Sequence, residues 1–161
     1  MPAKGLAPGI FARNVPGMTE ALSGRVVGVA GCGGLGSQAA VALVRAGVGR
    51  LILVDHDRVE PSNLNRQHYS QSDIGHPKVH ALARHLLGIQ PDVGLDLHEK
   101  RLCPEDVGSL FDEADLLIEG FDRAESKRWL IEAWCTAFPD RVIVCGSGVS
   151  GLGSAESIQT R

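Results

Sequence analysis

No stretch of this chain is long and apolar enough to cross a bilayer. The longest purely apolar segment in a helical pattern, Ala39–Val44, is far too short, and no apolar core follows Lys4 at the N-terminus. A cytoplasmic protein without membrane contact is expected. An excess of positive charge is missing too. Sixteen Lys and Arg against 19 Asp and Glu leave a formal net charge of -3, which excludes a nucleic-acid binder held mainly by phosphate contacts. The four cysteines, Cys32, Cys103, Cys135 and Cys145, stand 71, 32 and 10 positions apart, so no C-x-x-C pair exists to hold zinc or run redox chemistry. Free thiols in a reducing compartment are expected instead. The pattern G-x-x-x-x-G-K-[ST] is also missing, and P-loop hydrolysis is excluded with it.

Aromatic residues are only 4% of the chain, whereas glycine is plentiful: 20 of 161 residues, about 12% against a usual ~7%. Glycine in that number points to tight turns between strands and helices. A chain of this size buries roughly 70% of its unfolded surface around a single core. Residues 1–24 mix Pro2, Pro8 and Pro16 with four glycines and read as an irregular arm, leaving 25–161 as the domain. Arg25–Ala30 is a β-branched run that reads as a buried strand, and Leu35–Ala46, apolar on nearly every side and closed by Gly47, reads as a buried helix. A second apolar run, Arg50–Val54, precedes the polar segment Asp55–Asp73. Pro77 then opens a helix through Val79, Leu82, Ala83, Leu86 and Leu87.

Val93–His98 alternates as an exposed strand does. Pro104–Phe111 is expected to be a short helix, Ala114–Ile118 a strand, Ala124–Ala137 a helix and Val142–Cys145 another buried strand. Strands alternating with helices predict a doubly wound, Rossmann-like α/β fold, with a mainly parallel sheet covered on both faces.

Gly31-Cys-Gly-Gly-Leu-Gly36 contains G-x-G-x-x-G directly after a strand and at the start of a helix, where backbone N–H groups and the helix N-terminus can approach a phosphate. Asp55, 19 residues past Gly36 at the end of the second strand, is placed to accept hydrogen bonds from ribose hydroxyls. Arg66 and Lys78 add two cations, and Asn63 an amide, just beyond the strand ends where a triphosphate would sit. A dehydrogenase has less need for so many phosphate partners, although the glycine loop and Asp55 alone also permit an NAD-dependent oxidoreductase.

The run Gly31–Ser37, with Ala46-Gly-Val-Gly49, Asp55-His-Asp57, Ser62-Asn-Leu-Asn-Arg-Gln67, Gly75-His-Pro-Lys78 and Phe121-Asp122, resembles the ThiF/MoeB/HesA family of ubiquitin-activating-type adenylyltransferases. The resemblance covers about residues 10–161. The closing stretches Gly146–Ser154 and Ser157–Arg161 look most like the shorter ThiF type, which activates the thiamine sulfur carrier. It implies binding of ATP and Mg²⁺, capture of the C-terminal Gly-Gly carboxylate of a ubiquitin-like sulfur carrier protein, formation of an acyl-adenylate with release of pyrophosphate, and a homodimer. By position, Gly31, Gly33, Gly34 and Gly36 would form the nucleotide loop, with Asp55 on the ribose and Asp57 in the same nucleotide group. Asn63, Arg66, Gln67 and Lys78 would face the phosphates, Asp122 would hold magnesium, and Arg13 would reach into a partner subunit's site.

Two departures accompany this resemblance. Arg123 replaces the polar residue that usually follows the magnesium aspartate, and family members normally continue well beyond Arg161, so a fragment or truncated form is expected. A third functional class is a non-catalytic carrier-binding partner, like the inactive halves of paired activating enzymes. Those halves typically lack the phosphate-site residues that Arg66, Lys78 and Asp122 supply here. Several plainer roles are also open. Asp122 has a helix-capping alternative. His76 and His80, four apart on one expected helix face, have no third metal ligand and read as surface residues. Cys32 reads as packing, and Trp129 and Trp134 face the core or a subunit contact. His56 receives no catalytic role, because a carboxylate nucleophile is already ionised at neutral pH.

Overall fold

The computed structural model describes residues 9–146. Five strands, β1 Val26–Ala30, β2 Arg50–Asp55, β3 Gly94–Glu99, β4 Leu116–Glu119 and β5 Val142–Cys145, pair in parallel in the order β3-β2-β1-β4-β5. Five α-helices accompany them among the described residues: α1 Met18–Ser23, α2 Gly34–Ala46, α3 Lys78–Ile89, α4 Pro104–Leu110 and α5 Ala124–Ala137.

The two-residue period of a strand sorts β2 onto both faces of the sheet. Leu51 and Leu53 enter the core that includes Ala40, Val41 and Val44 of α2 and Val79, Leu82 and Leu86 of α3. Ile52 and Val54 enter the opposite core, built with Val107 of α4, Phe111, and Leu130 and Trp134 of α5. Burial of each such side chain contributes about 1.5–3 kcal/mol. Because α2 and α3 cover one face and α4 and α5 the other, the chain changes faces between β1 and β4. The C-terminal ends of those strands therefore open into a crevice.

Four local expectations are corrected. The arm contains a six-residue helix, α1, held by backbone contacts such as Gly49 N–H to the Leu22 carbonyl at 3.2 Å. Helix α2 is buried on one side only, since Leu35, Gln38, Ala42 and Arg45 are exposed. Strand β5 is not buried among the described residues: it lies at the end of the sheet, with Val142 and Val144 exposed. An apolar run alone does not tell an edge strand from a central one. His76 precedes α3, so it shares no helix face with His80.

The polar segment between β2 and α3 is fixed by Asp73. One oxygen, Oδ2, accepts from Ser70 N–H and Ser70 Oγ, both at 2.8 Å, and lies 2.7 Å from His85 Nε2. The other, Oδ1, accepts from Arg84 at 2.9 Å. Burial pushes this carboxyl up, but the hydrogen bonds from Ser70, His85 and Arg84 outweigh it and hold the group well below the usual carboxylate range. A folded-state value below the unfolded one (~3.9) gives stability that is present above the unfolded value and lost as pH falls toward the folded one. Asp73→Asn is accordingly expected to cost about 2 kcal/mol at pH 7. In denaturant titrations its difference from the wild type should shrink between about pH 5 and pH 2. A difference that holds constant over that range would show that the charge of Asp73 is not what stabilises the segment.

Candidate functional site

A cavity of about 410 Å³ lies over the C-terminal ends of β1, β2 and β4. Its floor is the turn from β1 into α2. Gly31 adopts φ +91°, which favours glycine, while its N–H donates to the Val54 carbonyl at 2.8 Å. Gly36 must also lack a side chain, because a Cβ there would collide with the Gly31 carbonyl oxygen. Gly31, Gly33 and Gly34 line the cavity, and Gly36 makes the turn possible from beneath. The first N–H groups of α2 have no partners within the helix and are available to an anion.

Asp55 is buried at the end of β2 and lines the same cavity. Its Oδ2 accepts Cys32 N–H at 2.6 Å and its Oδ1 accepts Asp57 N–H at 2.8 Å. A carboxylate oxygen has more than one lone pair, so both oxygens retain capacity for hydroxyl donors such as those of a ribose. Tyr69 secures the loop from the other side, donating its hydroxyl to the Cys32 carbonyl at 2.7 Å. Burial pushes the Tyr69 phenol above its ordinary range. Burial, followed by the charge of Asp55, does the same to the Cys32 thiol, which therefore stays protonated and packs as an apolar residue.

Lys78, the first residue of α3, lines the cavity with its side chain buried and its ammonium 2.9 Å from Asp57 Oδ2. Partial burial pushes Asp57 up, but Lys78, His56 and Arg101 together hold it below the usual carboxylate range. Arg66 is exposed at the cavity, donating to the Ser62 carbonyl and to Asn65 Oδ1, both at 3.0 Å. Gln67 is buried in the wall, and its Oε1 has no hydrogen-bond partner among the described residues. An orphaned polar atom in a cavity wall fits a polar ligand there, with either end of the amide available to it.

Asp122 lines this cavity and a neighbouring one of about 450 Å³. It does not cap α5: the N-cap is Arg123, and no side chain caps that end. Among the described residues the exposed Asp122 carboxylate makes no hydrogen bond or ion pair. A carboxylate so placed is a suitable ligand for a hard divalent cation. Asp55, His56 and Asp57 also bring three potential ligand atoms within 4.8 Å of one another, although Asp57 is already paired with Lys78.

Two expected site residues lie elsewhere. Asn63 is buried and faces the backbone instead of the cavity: its Oδ1 accepts Glu60 N–H at 3.0 Å and closes a short 3-10 turn, Pro61–Asn63. The placement of an Asn one turn after an acid satisfies local backbone donors first. Arg13 is exposed before α1 and lines neither cavity of its own chain. Sequence reasoning missed Glu119 and Lys127. Glu119 is fully buried at the end of β4, and Lys127 reaches the cavity wall. The only signal was an acid closing the apolar run Leu116–Glu119.

The ThiF family matches residues 11–157. The SAMP-activating enzyme E1 of Haloferax volcanii is 38% identical over 120 residues, 74% of this chain and 44% of that protein. The probable adenylyltransferase/sulfurtransferase MoeZ of Mycobacterium tuberculosis is 38% identical over 109 residues, 67% of this chain and 28% of that protein. Among solved structures, the Escherichia coli tRNA N6-threonylcarbamoyladenosine dehydratase TcdA in complex with ATP superposes with a TM-score of 0.80 at 27% identity, over 94% of this chain and 62% of that one. The chain thus spans less than half the length of the two curated relatives. No helix among the described residues is long and apolar enough to cross a membrane.

Proposed function

The chain belongs to the ThiF family, and on that premise we propose that it is an ATP-dependent adenylyltransferase acting on the C-terminal Gly-Gly carboxylate of a ubiquitin-like sulfur carrier. The observation that carries this reading is the convergence in one cavity of Asp55, the glycine loop, the cations Lys78 and Arg66, and the carboxylate of Asp122, which has no partner among the described residues. An NAD enzyme needs the first two features. A triphosphate also gives the cations and the free acid a purpose.

The chain's own residues do most of the work by position and charge. Asp55 takes the ribose hydroxyls while the glycine loop and the start of α2 take phosphate oxygens. Lys78, held by Asp57, and Arg66 offset negative charge on the phosphates as the carrier carboxylate attacks the α-phosphorus. One P–O bond forms to the carboxylate oxygen and the bond to the β-phosphate bridge breaks, releasing pyrophosphate. The nucleophile is already an anion at neutral pH, so no side chain need remove a proton. Magnesium, for which Asp122 is the fitting ligand, would supply further charge neutralisation on the phosphate oxygens.

Two finer assignments rest on resemblance. The thiamine sulfur carrier is the candidate favoured by the closing stretches, which lie beyond Gly146 outside the described residues. A homodimer with Arg13 reaching the partner's site is favoured by the placement of Arg13 outside its own cavity.

Three measurements test the reading. ATP should raise the melting temperature more than NAD at equal concentration, and the advantage should vanish in Lys78→Met. Equal or greater protection by NAD would sink the adenylyltransferase reading. Asp122→Asn should lower carrier-dependent exchange of labelled pyrophosphate into ATP by about 10²–10³-fold, while metal-free ATP affinity stays nearly constant. Unchanged exchange would remove Asp122 from the site. Mixed dimers of Arg13→Ala and Lys78→Ala chains should regain part of the exchange activity lost in each alone, since one hybrid site carries both native residues. No recovery in verified mixed dimers would place Arg13 outside the partner's site.

A further inference from the structure

Glu119 is fully buried, and nothing in the adenylyl-transfer reading uses it. Its Oε1 accepts Phe121 N–H at 2.7 Å, and Lys127 Nζ donates to Oε1 and Oε2 at 3.1 and 2.8 Å. The ammonium makes a further bond to the Gly146 carbonyl oxygen at 3.2 Å. The two oxygens of one carboxylate lie too close together to take separate N–H bonds of a tetrahedral ammonium, so they share one donor, the Gly146 carbonyl takes a second, and a third remains. Lys127 stands in the wall of the nucleotide cavity with its ammonium turned toward Glu119 and Gly146.

Such a pair is an expensive way to fill a strand end, since well-packed apolar side chains of the same volume are often as stabilising or more so. Its contacts show what it accomplishes. Phe121 directly precedes Asp122, so holding its N–H fixes the direction in which the chain leaves β4 and hence where the Asp122 carboxylate stands. Gly146 directly follows β5 and packs against the first turn of α2: a Cβ on it would collide with the Leu35 side chain. One ammonium therefore joins the β4 end, the β5 end and α5 at the point where the cavity opens.

We propose that Glu119 and Lys127 are a positioning pair that orients the Asp122 loop toward the metal-bound nucleotide, a role that rests on the nucleotide reading above. Both act through Phe121 and Gly146.

The test uses the full chain as Lys127→Arg, Lys127→Met and the double variant Glu119→Gln/Lys127→Met. ATP binding is measured by calorimetry with and without magnesium, alongside melting temperature, amide exchange at Phe121 and pyrophosphate exchange. In Lys127→Met, ATP affinity in magnesium should fall by about tenfold, within the 10–100-fold range of outer-sphere partners of metal sites, with metal-free affinity within about twofold of wild type. Lys127→Arg, which keeps a cation and two N–H donors for the carboxylate, should stay within about threefold. If the single Met variant fails to fold because it strands the Glu119 charge, the double variant carries the test, since it buries no unpaired ion. That variant should recover the melting temperature but keep the weakened magnesium response and the faster Phe121 exchange. Recovery of the magnesium response together with stability would overturn the proposal, leaving the pair purely structural. So would a wild-type ATP affinity that does not respond to magnesium. A wild-type chain that binds ATP in a magnesium-dependent way yet exchanges no pyrophosphate would count against adenylyl transfer alone, and the pair would still be judged by the binding data.

Discussion

The site depends on a single buried carboxylate. Asp55 closes β2 in a place where an anion is tolerated only if it is hydrogen-bonded, and it meets that requirement with the N–H groups of Cys32 and Asp57. The first bond draws the glycine loop over the end of β2, and the second turns the chain toward Lys78. Tyr69 pins the opposite side of the loop through the Cys32 carbonyl. With the loop held from two directions, the open N–H groups of α2 and the remaining lone pairs of Asp55 face one cavity without reorganising, which is what a preorganised nucleotide site requires.

The same solution recurs elsewhere in the chain. Asp57 meets Lys78, Asp73 meets Arg84 and His85, and Glu119 meets Lys127. In each case an acid in or beside an irregular segment is joined to a basic side chain on a helix, so segments without ladder hydrogen bonds are tied to elements that have them. The apolar cores on the two faces of the sheet set the layers. The ionic ties set the loops between them, where directional bonds discriminate and apolar packing does not.

The order of strands and helices was readable because aliphatic runs and glycine-terminated helices follow local rules that a chain of this composition obeys. The glycine loop and Asp55 were readable for a related reason: their spacing is dictated by one strand, one tight turn and one helix. The direction of Asn63 was not legible, because its polarity and its position near the other polar residues say nothing about direction, and the backbone of its own 3-10 turn took its Oδ1. Helix α1 was missed because proline and glycine upstream obscured six residues whose helix is held by the turn before β2. The burial of β5 was overstated, since two valines in an apolar run do not reveal whether a neighbour lies on both sides.

The sequence by itself determined the parallel α/β arrangement, the turn that only Gly31 and Gly36 can make, and the presence of cations and acids at strand ends. These follow from steric and periodic constraints acting over a few residues. Only the tertiary structure decided that Lys78 is held at the cavity by Asp57, that Asp122 is free of the helix it precedes, and that Glu119 and Lys127 join two strand ends. Partners separated by 8 to 21 positions, or absent among the described residues, are set by how the sheet and helices bring them together. Whether a charge is spent on a neighbour or left for a ligand is a property of that packing, and no local pattern encodes it.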